Sequence, residues 1–158
     1  MNSKTCYVLV GPPGSGKSTY ADNTIYDAII VSSDDVIQTI CEDYGITYDE
    51  GFPDLVKFAD KMFWFALKRC ADNGINIVVD RTNMSVKSRK KIFDVMSSYG
   101  YNFYAKVFPM PEKEEWNRRL NSRNGKTIPS DVLEGMIKNF EMPTVEEGFV
   151  SVEIIENA

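Results

Sequence analysis

Several groups of residues in this 158-residue chain have the types and spacing needed to handle phosphate. Foremost is Gly11-Pro12-Pro13-Gly14-Ser15-Gly16-Lys17-Ser18, a complete G-x-x-x-x-G-K-S/T pattern extended by Thr19. It follows an apolar run and leads into a segment able to form a helix, the context in which this pattern builds a phosphate-binding loop. Gly11, Gly14 and Gly16 allow backbone angles and close approaches that a side chain would block, so successive N–H groups can converge on an anion. The helix that follows adds unsatisfied N-terminal donors and the positive end of its dipole. Lys17 supplies a point charge for β- and γ-phosphates, and the Ser18 hydroxyl is suited to Mg²⁺.

Transfer of a phosphoryl group from ATP needs more than a donor loop. It needs a metal ligand, a carboxylate beside the attacking hydroxyl and a cation over the moving group. Asp34 reads as the base that takes the hydroxyl proton and Asp35 as its neighbour on the substrate side; the alternative is a double helix cap without chemistry. Asp80 reads either as a carboxylate that orients Mg²⁺ through water or as a plain strand-end acid, and Arg81, Thr82 and Asn83 beside it are candidates for substrate contact. Arg119 and Arg123 share a helix face if the helix extends that far, and Arg123 opens the basic loop Arg123-Asn124-Gly125-Lys126. This suits a lid over about 119–129 that brings arginine to the γ-phosphate when the site fills; otherwise the two are a surface pair.

Hydrophobic periodicity supplies the elements that must position these groups. Strands are expected over 4–10, 28–31, 75–79, 101–108 and 151–155, and helices over 17–23, from Asp34-Asp35 to about 43, over 53–70, 85–99 and 112–122, and from a Ser130 cap to Phe140. Residues 44–52, with Gly45 and Gly51, read as a loop whose Tyr44 and Tyr48 could stack on a base or merely pack. In the 53–70 helix, Leu55, Phe58, Ala59, Met62, Phe63, Ala66, Leu67 and Cys70 read as a core stripe. The alternation predicts one three-layer α/β domain over 1–158 with a mainly parallel five-stranded sheet. In such a sheet ligands gather at the carboxyl ends of the strands, which brings the phosphate loop near Asp34, Asp35 and 80–83.

Composition narrows the class. No apolar run approaches membrane-spanning length and no signal-peptide pattern is present, so a soluble, cytoplasmic protein with no membrane partner is expected. Cys6, Cys41 and Cys70 are odd in number and accompanied by no histidine, which argues for small apolar side chains over a disulfide framework or a zinc site. The net charge of −5 is unevenly spread: residues 1–80 hold 6 basic and 12 acidic side chains, 81–126 hold 11 and 4, and 127–158 hold 1 and 7. A basic middle between acidic ends could offer a positive surface to polyphosphate or nucleic acid, or be a set of solvated helix faces.

Across nearly its whole length the chain resembles the kinase domain of the phage and eukaryotic polynucleotide 5′-hydroxyl kinases, within a wider group of small AAA-type P-loop kinases. The carriers are 11–19, Ser-Ser-Asp-Asp at 32–35, Val-Val-Asp-Arg-Thr-Asn at 78–83, 119–129 and the tail Phe140-Glu-Met-Pro-Thr-Val-Glu-Glu-Gly-Phe149. The resemblance implies that Lys17 and Ser18 hold phosphate and Mg²⁺, that Asp34 is the general base and that Arg123 is the lid arginine, with Arg119 a second basic residue of that helix. Thr82 and Asn83 match a motif near the acceptor and donor phosphates. It also implies ATP and Mg²⁺ as cofactors, DNA or RNA as acceptor and, for a phage enzyme, action in the host cytoplasm. One position departs: an arginine that grips an acceptor phosphate in the phage pattern is Ile37 here, a loss for which Arg81 could compensate. The chain stops where bifunctional relatives continue into a phosphatase domain, so no such second activity is expected.

The leading expectation is an ATP-dependent kinase acting on a polynucleotide hydroxyl, either a 5′ end or the hydroxymethyl group of a modified base such as 5-hydroxymethyluracil. A nucleoside or other small-molecule kinase and a non-catalytic ATP-binding switch are the alternatives. The oligomeric state is left open.

Overall fold

The computed structural model describes residues 4–25 and 27–156. Five strands, β1 (Thr5–Val10), β2 (Ile29–Val31), β3 (Ile77–Val79), β4 (Asn102–Val107) and β5 (Phe149–Ile154), form one sheet in the order β2-β3-β1-β4-β5. Every pairing is parallel, so the sheet is wholly and not just mainly so. The inner strands β1 and β3 are covered on both faces, which is why they read as continuous apolar runs, while the edge strand β5 is largely exposed. Cys6, Val8 and Val10 face a core that includes Phe63, Leu67, Ile92 and Phe103, while Leu9 faces Ala21, Val78 and Phe108 on the other side. The three cysteines are unpaired and buried, as expected of small apolar side chains.

The helices are α1 (Lys17–Thr24), α2 (Ser33–Tyr44), α3 (Tyr48–Asp72), α4 (Val86–Met96), α5 (Lys113–Asn121) and α6 (Ser130–Lys138), followed by a 3₁₀ turn, Val145–Glu147. The expected loop over 44–52 is shorter, because α3 begins at Tyr48. Thr47 and Glu50 form a reciprocal capping box there, Gly51 lies inside the helix, and Pro53 is an interior residue instead of a first-turn one. Gly51 is small for a reason: a Cβ would come within 2.4 Å of the Cys41 sulfur of α2. The core stripe of α3 is also narrower than its periodicity suggested. Ala59, Phe63 and Leu67 are buried, but Phe58 and Met62 are exposed at 48% and 36%.

Helix entry differs in two further places. Asp34 and Asp35 do not cap α2; Ser32 does, its hydroxyl accepting from the Asp35 N–H at 3.4 Å, and the two acids occupy the first turn where the helix dipole favours negative charge. Ser130 is the first residue of α6 instead of its cap, which falls on Pro129. The Ser85 cap of α4 is present as a box with Ser88.

A buried ion pair closes the fold behind the site. Arg89 of α4 is fully buried; its Nε donates to Glu147 at 2.8 Å and its Nη1 to the Asn83 carbonyl at 2.9 Å. Glu147 also accepts from the Thr144 N–H at 2.9 Å, so one arginine holds the chain after α6 and the loop after β3 together. Removing one partner of such a pair leaves a buried charge uncompensated. Glu147→Ala is therefore expected to lose about 3–5 kcal/mol of stability in urea unfolding, and Arg89→Met with Glu147→Leu to lose much less.

Candidate functional site

The strand order accounts for the convergence of the polar groups. β1 lies between β3 and β4, with β2 beyond β3, so the loops leaving β1, β2 and β3 open side by side at one end of the sheet. They border a cleft of about 780 Å³ lined by Gly14, Gly16, Lys17, Ser18 and Thr19 on one side and by Asp34, Asp35, Asp80, Arg81 and Thr82 around its floor.

The loop from Gly11 to Ser18 is shaped for an anion. Gly14 and Gly16 have left-handed backbones, φ 74° and 97°, and a Cβ on Gly11 would stand 2.8 Å from the Phe108 carbonyl oxygen. Lys17 is 8% exposed and donates to the carbonyls of Gly11 at 2.9 Å and Pro12 at 2.8 Å. Burial lowers its pKa to about 8, against the upward pull of Asp80 and Asp34. The Ser15 hydroxyl and the Arg123 Nε are buried without a hydrogen-bond partner. Arg123 borders the cleft, and an unsatisfied donor there beside a cradle of glycine backbone fits a polyphosphate, which would supply the missing acceptor.

Ser18 donates to Asp80 Oδ2 at 2.7 Å. A hydroxyl and a carboxylate held together are hard oxygen ligands of the kind that suit Mg²⁺, directly or through water. Burial raises the Asp80 pKa, opposed by Ser18 and Lys17; burial together with Asp80, Asp34 and Asp22 raises that of Asp35. A divalent cation would relieve this concentration of negative charge.

Asp34 differs from its acidic neighbours. Tyr48 Oη donates to its Oδ1 at 2.8 Å and Lys126 Nζ to its Oδ2 at 3.2 Å. Burial works to raise its pKa, but Lys126, Tyr48 and Arg123 together outweigh burial and hold it below the usual carboxylate value. Lys126 also lies 4.4 Å from the centre of the Tyr48 ring, so the three side chains form one unit.

The basic loop after α5 docks on the start of α3. Asp49 accepts from the Thr127 N–H at 2.8 Å and its hydroxyl at 2.7 Å, while the Asp49 N–H donates to the Gly125 carbonyl at 2.8 Å. Gly125 has φ 69°, and a Cβ there would lie 2.9 Å from Thr47 Cγ2. Arg123 lines the cleft. Arg119 does not: it donates to Glu115 at 2.9 Å and to the Gly14 carbonyl at 3.1 Å, touching the phosphate loop from behind. Trp116 joins it there, donating to the Pro13 carbonyl at 2.6 Å.

The residues after β3 part company. Arg81 reaches the cleft edge, paired with Asp60 at 3.3 Å and stacked 4.6 Å from the centre of Phe63. Thr82 lines the cleft and its carbonyl accepts from the Gly11 N–H at 2.9 Å. Asn83 is 4% exposed, φ 48°, and its amide donates to the Leu9 carbonyl at 2.8 Å, so it turns away from the cleft and fixes backbone. Pro12, Pro13 and Ser15 belong to the loop, Pro13 bordering the cleft and the other two buried beneath it. The sequence reading missed Lys126, Asp49 and Trp116 and left Tyr48 undecided; only the Thr47–Glu50 box, a start signal for α3, pointed toward two of them.

Because an anion stabilises the charged form of Lys17, nucleotide affinity should hold below about pH 8 and weaken as pH rises through it, where the free lysine loses a proton that the bound form keeps. Titration of a fluorescent ADP across this range checks it, and Lys17→Ala should bind weakly with a flat profile.

Among the described residues no helix is long and apolar enough to cross a membrane. Residues 7–143 match the family model described as an AAA domain. The bifunctional polynucleotide phosphatase/kinase of Schizosaccharomyces pombe is 30% identical over 151 residues, covering 92% of this chain and 32% of that protein. A chain of the Pnkp1/Rnl/Hen1 RNA repair complex superposes with a TM-score of 0.66 at 26% identity, over 88% of this chain and 45% of that one. The chain thus spans about a third of the first relative and under half of the second. A gluconokinase from Sinorhizobium meliloti 1021, at 20% identity and a TM-score of 0.52 over 98% and 83% of the two chains, shares the fold. A family match over most of its length makes this chain a member of the AAA-domain family.

Proposed function

We propose that the chain is an ATP-dependent kinase that transfers the γ-phosphate to a hydroxyl of a polynucleotide, with the 5′-hydroxyl end and the hydroxymethyl group of a modified base as the acceptors to be tested. The observation that carries the reading is a carboxylate kept ionised, Asp34, facing the phosphate loop across one cleft. A nucleotide switch has no need of such a group beside the γ-phosphate. The fission-yeast relative, a polynucleotide phosphatase/kinase, and the likeness to a chain of an RNA repair complex support a nucleic acid as acceptor.

In this mechanism Gly11 to Thr19 hold the donor phosphates through backbone N–H groups, while Lys17 and Arg123 neutralise charge on the γ-phosphoryl group. Mg²⁺, held by Ser18 with Asp80 in support, would neutralise the β- and γ-oxygens when bound. Asp34 accepts the proton of the acceptor hydroxyl as its oxygen bonds to the γ-phosphorus and the bond to the bridging oxygen breaks, releasing ADP. Each Asp34 oxygen has one donor in place and keeps a second lone pair for the acceptor hydroxyl. Asp35, Arg81 and Thr82 line the acceptor side, and Arg119 acts through the Gly14 carbonyl. The apolar wall of Phe52, Pro53, Ile128, Pro129, Val132 and Met136 would also suit a nucleoside, the second reading.

The test offers γ-labelled ATP to 5′-hydroxyl DNA, 5′-hydroxyl RNA, DNA with hydroxymethylated bases and a nucleoside panel. Label confined to nucleosides would sink the polynucleotide reading. Asp34→Asn should slow transfer by about a hundred- to ten-thousand-fold while keeping nucleotide binding. Lys126 lowers the Asp34 pKa, so Lys126→Ala should raise it and move the acid limb of the pH profile of kcat/KM upward, a shift absent if Asp34 is not the base.

A further inference from the structure

The apolar stripe of α3 runs past the core and onto the surface. Leu55, Phe58, Met62 and Phe65 follow one another at intervals of three and four residues, the spacing of a seam made for a second helix. Phe65 is 59% exposed, and Phe58 and Met62 also stand open to solvent. Lys57, Asp60 and Lys61 border a different groove, next to Ile37, so the stripe itself carries no charge. Beside it, β2 is an edge strand of the sheet, and its Ile29 is exposed as well. An apolar groove of about 430 Å³ joins the two elements, lined by Ile29, Val36, Ile40, Met62 and Ala66, among others. Ile29, Phe58, Met62 and Phe65 do not border the cleft, so the catalytic reading makes no use of them. Apolar side chains gathered in one place and rimmed by charge mark a surface that meets another protein.

The charges at the two ends of the stripe identify that protein. Asp54 stands about two turns before Met62, and Lys68 and Arg69 about two turns after it. All three are exposed, and Arg69 makes a loose contact with Asp72 at 3.7 Å. The face is therefore acidic at one end, basic at the other and apolar between, which makes it complementary to itself when turned end for end. We propose that it is the interface of a two-fold dimer of this chain, with the two α3 helices antiparallel and the axis near Met62. In that arrangement Asp54 of each copy meets the partner's Lys68 and the partner's Arg69, and symmetry supplies the contact twice. The helix dipoles also oppose each other favourably, whereas a parallel arrangement would set like charges side by side. Phe58 and Phe65 lie on either side of the axis, so each copy offers aromatic side chains to the other's stripe and groove, the kind of anchor that carries most of an interface's energy. The 25-residue α3 is about 37 Å long, and with α2 and β2 alongside it has the reach that about 800 Å² from each partner requires.

Sedimentation velocity of the full chain at micromolar concentrations tests this. The unaltered protein should run at twice 17.9 kDa. Phe58→Ser/Phe65→Ser should run as a monomer with the same far-UV circular dichroism. Asp54→Arg and, separately, Lys68→Asp/Arg69→Asp should each weaken self-association by about tenfold, because like charges then meet twice. An equimolar mixture of these two charge variants should regain the parent's affinity as a mixed dimer, since each then carries the sign the other needs, a recovery that damaged folding or packing does not give. An unaltered protein that stays monomeric overturns the proposal and leaves the stripe to a partner of another kind. A dimer that survives Phe58→Ser/Phe65→Ser overturns it by placing the interface elsewhere. A mixture no tighter than its components rules out the antiparallel pairing, and a ladder of larger species, the mark of head-to-tail contact, rules out the two-fold axis.

Discussion

The hydrogen bond from the Gly11 N–H to the Thr82 carbonyl is the tie on which the site depends. Strands β1 and β3 are neighbours, but once each leaves the sheet its loop has no ladder to hold it. The tie carries the pairing one residue past β1 and three past β3, and the Asn83 amide, donating to the Leu9 carbonyl, repeats it in the other direction. Arg89 grips the Asn83 carbonyl from below. Donor loop and Asp80 are thereby held in one frame, so Ser18 meets Asp80 without either side chain having to search for the other. An ion pair buried far from the cleft is the base of this frame, and a left-handed asparagine is its hinge pin.

A second frame stands opposite. The acid from α2, the tyrosine that opens α3 and the lysine from the loop after α5 come from three elements and meet at one carboxylate. The phosphate loop is braced from outside by Trp116 and Arg119, so α5 supports the donor side while the loop that follows it covers the acceptor side.

The legible parts of the sequence were those governed by local rules. Val78 and Val79 announce a buried parallel strand because both faces of the sheet are covered, and Ser18, Asp34 and Asp80 could be placed because strand ends converge in such a sheet. The fold, the donor loop and the cleft followed from this. What was not legible depends on distant partners: Lys126 meets Asp34 across 92 residues, and Trp116 meets Pro13 across 103. Arg81 and Arg89 look alike in sequence, yet one is drawn to Asp60 at the cleft edge and the other is entombed with Glu147. Asn83 read as a candidate for substrate contact together with Arg81 and Thr82; those two line the cleft, while a left-handed backbone turns Asn83 inward. The start of α3 was misread because Gly51 and Pro53 speak for a turn, while the Thr47–Glu50 box, equally local, outweighs them.

Pro53 inside α3 has a mechanical meaning. Lacking an N–H, it cannot bond back to the carbonyl of Asp49, so one rung that would tie the opening turn of α3 to the rest of that long rod is missing. That turn, with Tyr48, Asp49 and Phe52, is a wall of the cleft. It is also held from outside its own helix, by Thr127, Gly125 and Asp34. The wall is thus fixed by two sets of contacts, the helix behind it and the basic loop in front, and the missing rung at Pro53 gives the second set a larger share of the work.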